Sequence, residues 1–187
     1  MGLSSFNQNS LTLYDGDNLE EHNLPGGFFR ESDLGQKKVL ALQSLLHEIN
    51  NSEIIAIPEF YENQYIDSDI VIMGLDSAHE RIRVVDKIHE QYRVKLVIDA
   101  RSGWHQGMVF TFDPRDEEAV AEWKKTLDPA TIEDVPCGAK AVAYNPVTIA
   151  GCVGATVRNY SKQDGLIPRK FMVQHQAMLY LSQNKLV

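Results

Sequence analysis

Acidic residues stand where apolar runs end. Asp15 and Asp17 follow Leu11-Thr12-Leu13-Tyr14, and Asp76 lies just past Ile70-Val71-Ile72-Met73. A β-prone run closed by a turn sequence reads as a strand that delivers its last carboxylates to its C-terminal edge. A carboxylate placed there can accept hydrogen bonds from a ribose. Each residue also has a plain structural reading: Asp15-Gly16-Asp17 as an ordinary turn, Asn23 as a loop hydrogen-bonder, Lys38 as a solvated helix residue, and Asp76 as the N-cap of the next helix.

The elements that must position these groups alternate along the chain. After the strand at 11–14, a polar loop runs from Asn18 to Phe29. A helix is expected from about Leu34, capped by Ser32 or Asp33, with Val39, Leu40, Leu42, Leu45, Leu46 and Ile49 at helical spacing and Asn50-Asn51 as its stop. Strands are expected at 54–57 and 70–73, then a helix from Ala78 to Arg93 and a continuous apolar strand at 96–98. Met108 to Phe112 alternates like an antiparallel strand, Asp113 to Leu127 reads as a charged amphipathic helix, and Asp128 to Pro136 as loop. Pro146 to Ser161 reads as a small-residue, mostly buried helix, and the tail from Pro168 to Val187 as either a helix or a strand. Near-continuous apolar strands interleaved with helices predict an α/β, Rossmann-like, mostly parallel sheet with helices on both faces. Ligands sit beyond the C-terminal strand edges of such sheets, so Asp15, Asp17 and Asp76 are expected to converge.

Composition limits the partners. The 187 residues, 43% hydrophobic and 24% charged, fit one domain spanning 1–187. Lys and Arg number 18 against 26 Asp and Glu, 18 − 26 = −8, which provides no general basic field for nucleic acid or an anionic membrane. No run is apolar enough for a membrane span, the first ten residues lack the layout of a signal peptide, and two cysteines fit a reducing compartment, so a cytoplasmic protein is expected. Cys137 beside Gly138 and Lys140 invites comparison with a thioester nucleophile, against the general rule of a buried or incidental thiol, and Cys152 reads as a small hydrophobe in a helix. Two cysteines cannot build a four-thiolate site and the six histidines lack metal-ligand spacing, so no zinc is expected. Trp104-His105 reads as a loop pair anchored on the core.

The series Asp15-x-Asp17-x5-Asn23-Leu24, Gly35-x-x-Lys38, Asp76 at a strand exit, Gly103-x3-Gly107-Met108-Val109-Phe110 and Asn145-Pro146-x4-Gly151 resembles the ubiquitin-activating-enzyme-like (ThiF/MoeB-like) adenylyltransferases over roughly residues 11–163. The resemblance implies ATP-dependent activation of a carrier protein's C-terminal carboxylate as an acyl-adenylate. It implies that Asp15 and Asp17 bind the nucleotide, that Asn23, Arg30 and Lys38 contact the triphosphate, and that Asp76 holds Mg2+, with Lys38 and Asp76 as the catalytic pair. Its partners would be a ubiquitin-like or sulfur-carrier protein and a second chain in a homo- or hetero-oligomer.

The sequence also departs from that pattern. The resemblance calls for a preceding strand, glycine-rich turn and helix whose N–H groups wrap the phosphates, and no G-x-G-x-x-G precedes Leu11. That strand would stand mid-sheet, so its place is expected to be filled by another chain, by the C-terminal tail, or by residues encoded upstream of the recorded start. Gly26 stands where the pattern has an arginine, with Arg30 displaced from it. A partner-dependent adenylyltransferase is therefore expected, against the alternative of a non-catalytic interaction or dimerisation protein. A dehydrogenase-like dinucleotide binder would use Asp15 but explain neither Lys38 nor Asp76.

Overall fold

The computed structural model describes residues 2–7, 10–25, 27–50, 54–102, 107–127 and 144–162. Trp104, His105, Cys137, Lys140, the expected loop at 128–136 and the tail from 168 lie outside the described residues.

Six strands form one sheet: β1 (Leu3–Asn7), β2 (Ser10–Tyr14), β3 (Ile54–Ile57), β4 (Ile70–Met73), β5 (Leu96–Ser102) and β6 (Gly107–Phe112), in the order β3-β2-β1-β4-β5-β6. β2 pairs in parallel with β3, and β4 with β5. β1 is antiparallel to both β2 and β4, and β6 is antiparallel to β5. β2, β3, β4 and β5 therefore point the same way, and their C-terminal ends share one edge of the sheet.

The alternation of side chains along each strand sorts the helices onto two faces. Tyr14, Val71, Met73, Val97 and Phe112 pack on one face with α2 (Ala78–Gln91) and α3 (Glu117–Lys125), through Val84, Val85, Ile88, Ala119 and Trp123. Leu13 and Ile54 face the other side, against Val39 of α1 (Lys38–Asn50), while Ile70, Leu96, Ile98 and Val109 meet Ile149 of α4 (Tyr144–Lys162). The chain thus has the α/β sheet with helices on both faces expected from its pattern.

Three expectations need correction. The place between β2 and β4 is filled by none of the expected sources: residues Leu3–Asn7 occupy it, in the antiparallel sense. The backbone groups of β2 and β4 need a ladder partner, and a hairpin strand delivers one from adjacent sequence. The helix expected from Leu34 begins at Lys38, because Glu31–Asp33 form a single 3-10 turn and Gly35 sits at φ +83°, a left-handed conformation that interrupts any helix. α4 is one-sided rather than mostly buried. Ile149 is buried and Cys152, Val153, Val157 and Tyr160 pack beside it, but Gly151 and Gly154 face open space because nothing covers that helix's outer side among the described residues.

Candidate functional site

The C-terminal edge gathers the exits of β2, β3 and β4. Asp15 continues the β2–β3 ladder by donating its N–H to the Ile57 carbonyl at 3.3 Å. Its carboxylate is buried, and Oδ1 accepts the Asp17 N–H at 2.8 Å. This is the Asx turn that an Asp-Gly sequence supports. The bland turn reading of Asp15-Gly16-Asp17 is therefore correct as geometry, and the turn sits at the expected edge.

Two lysines clip this turn to the start of α1. Lys38 Nζ donates to Asp17 Oδ2 at 2.8 Å while the Lys38 N–H donates to the Asp17 carbonyl at 3.1 Å. Lys37 Nζ donates to the Gly16 carbonyl at 2.7 Å. An antiparallel bridge between Asn18 and Lys37 and a 2.7 Å bond from the Leu19 N–H to the Gln36 carbonyl complete the clip. One of the orphan N–H groups of the α1 first turn is satisfied by this means. The Lys38 ammonium beside it holds the Asp17 carboxyl below its usual range, chiefly through their hydrogen bond.

Asp76 stands on the exit of β4, exposed in a bend. The N-cap of α2 is its neighbour Ser77, whose hydroxyl accepts the Glu80 N–H at 3.4 Å. The capping role considered for Asp76 is therefore taken, and its carboxylate stands outside the cap.

The remaining expected residues are held by partners of their own. Asn23 closes a 3-10 turn, its Oδ1 accepting the Glu20 N–H at 3.0 Å. Arg30 grips Glu48 with both terminal nitrogens, Nη1 at 2.9 Å from Oε1. Glu48 is ten residues along α1 from Lys38, about 15 Å at ~1.5 Å per residue.

Beneath the Asp76 bend lies a buried network that the sequence reading missed. Asp99 is fully buried at the register position opposite Met73, and its Oδ2 accepts Trp123 Nε1–H at 2.9 Å and Arg101 Nε–H at 2.8 Å. Its Oδ1 pairs with Arg81, whose other terminal nitrogen donates to the Leu75 carbonyl. Arg101 also lies over the Phe110 ring at 4.3 Å and donates to the Thr126 carbonyl at 2.9 Å. Burial pulls the Arg81 guanidinium below its usual value; Asp99 opposes that pull, Arg101 adds to it, and Asp76 opposes it. The signal was present in the sequence, since a carboxylate inside an apolar strand requires a charged partner.

Among the described residues no cluster of three or more His, Cys, Asp and Glu side chains is arranged to hold a metal ion, and no helix is long and apolar enough to cross a membrane. The family model for the ThiF family matches residues 2–180 of the chain. Comparison with curated proteins finds none that matches.

Proposed function

The chain belongs to the ThiF family, and from that premise we propose that it binds MgATP at the β2–β4 edge and takes part in adenylating a carboxylate. The observation that supports the proposal is the clipped carboxylate turn at the β2 exit and the exposed Asp76 at the β4 exit, both at one edge of the sheet with β1 between their strands. Asp15 would receive a ribose hydroxyl, the task of an acidic residue at such an edge. Lys38, already held in place by Asp17, would balance triphosphate charge. An exposed carboxylate fits magnesium, which binds proteins through one or two carboxylates and takes its other ligands from phosphate and water. Asp76 would supply that carboxylate, and the bound ion would neutralise charge on the phosphates.

In the reaction a carboxylate oxygen, such as that of a ubiquitin-like or sulfur-carrier protein's C-terminal glycine, bonds to the α-phosphorus as the bond to pyrophosphate breaks. Positioning and charge compensation are the main contributions asked of the protein. Asn23 spends its Oδ1 on the Glu20 N–H, a bond that does not use its amide donors, so it would donate to phosphate from where it stands, whereas Arg30 would have to give up Glu48 to do so.

Isothermal calorimetry is the first test. MgATP is expected to bind the full chain, and Asp76→Ala is expected to weaken MgATP binding at least tenfold while leaving magnesium-free ATP little affected. No binding to the wild-type chain would sink the proposal. A second reading is favoured by one observation: β1 begins rather than ends at this edge, so no strand-to-helix turn leaves it there to wrap phosphates. On that reading the chain is a docking or dimerisation partner without turnover. Pyrophosphate exchange separates the two readings, because only the first expects exchange with the chain alone or with a partner chain added.

A further inference from the structure

The exit of β3 is held more firmly than a connecting loop requires. Tyr61 is buried, its ring edge-on to Tyr14 with centroids 5.7 Å apart. Arg83 of α2 donates to the carbonyls of Tyr61 and Glu62 at 2.6 and 2.7 Å. Gln91, the last residue of α2, donates to the Tyr61 hydroxyl at 3.2 Å and to the Gln64 carbonyl at 3.1 Å, and accepts the Ile66 N–H at 2.9 Å.

Phe60 stands at the head of this pinned segment, yet its side chain is 62% exposed. It does not hang free, because its ring rests on Gly16, between Asp15 and Asp17. A Cβ at Gly16 would come within 2.8 Å of ring atoms Cδ2 and Cε2, so the close approach depends on the missing side chain. The ring is thus held beside the Asp15 carboxylate while most of it stays open to solvent, where a planar group could pack on it.

We infer that Phe60 is the base-stacking residue of the nucleotide site, an inference that rests on the binding function proposed above. Sheet order sets the direction. With the ribose at Asp15 on β2 and the phosphates toward Asp76 past β4, the base lies on the β3 side, where Phe60 stands. Stacking is tolerant of base identity, so Phe60 provides affinity for a planar base without choosing among bases.

Calorimetry on the full chain with two probes, MgATP and magnesium tripolyphosphate, tests the inference. Phe60→Ala is expected to weaken MgATP roughly 5- to 100-fold, the range of an alanine substitution under a stacked base, and to leave tripolyphosphate unchanged. Phe60→Trp is expected to restore MgATP binding, and Phe60→Leu, equally apolar but without a π-face, is not. Wild-type affinity in Phe60→Ala would overturn the stacking role while the nucleotide site stood. An equal loss for both probes would overturn it in favour of a general disturbance of the edge. Failure of the wild-type chain to bind either probe would overturn the site and the stacking role with it.

Discussion

A lysine that holds an aspartate leaves a signature in pH. The hydrogen bond from Lys38 keeps the Asp17 carboxyl below its usual range, so the clip is fully formed above the ordinary aspartate range and is lost as pH falls through the lowered value. Wild type is therefore expected to exceed Asp17→Asn in stability at pH 7, by at most about 1 kcal/mol because Asp17 is half exposed. Urea unfolding across the acid range should show that gap closing as the pH falls, and a gap independent of pH would mean the clip is not electrostatic. Asp15 and Asp17 were legible as turn residues because a strand end is a local signal, whereas Lys38 stood out only through the resemblance, the helix start having been expected four residues earlier. The attachments of Asn23 to Glu20 and of Arg30 to Glu48 were not legible, because nothing in the spacing of loop polar residues says which partner each will choose.

At the scale of elements, the most consequential strand is the one that local pattern concealed. Leu3-Ser4-Ser5-Phe6-Asn7 has no strong β signature, yet it runs between β2 and β4 and completes the sheet. Strand preference depends on neighbours more than on sequence, and a slot with two unpaired ladders is a strong neighbour. Leu3 is 1% exposed and packs in the cluster beneath α2, so Leu3→Ala is expected to cost about 2–4 kcal/mol. Chemical unfolding measures it, and a cost within a few tenths of a kcal/mol would mean that β1 does not occupy the slot. The α2 and α3 faces were readable from helical periodicity, and Ala119 and Trp123 of the second are buried four residues apart, with Leu127 buried in the turn that follows. The α1 start was displaced by Gly35, whose positive φ a periodicity argument does not see.

Across the whole molecule, one buried carboxylate ties three parts together. Asp99 on β5 is bound by Trp123 from α3, by Arg101 from its own strand and by Arg81 from α2, which in turn holds the Leu75 carbonyl beside Asp76. Two guanidiniums share this single carboxylate out of water, so Asp99→Ala leaves buried charge without its partner and is expected to cost about 3–5 kcal/mol. Thermal and urea unfolding measure that loss, and near-wild-type stability would show that the charges find another counter-ion. Sequence alone determined the layered α/β class, the strands at 54–57 and 70–73, the helix that follows Asp76, and the carboxylates at the strand ends. These are set by the period of apolar residues and by turn chemistry, both local properties. Only the tertiary structure decided the sense of β1, the Asp99 network and the place of Phe60 over Gly16, because each rests on residues far apart in the chain meeting across the sheet, where burial and unpaired hydrogen-bonding groups outweigh local preference.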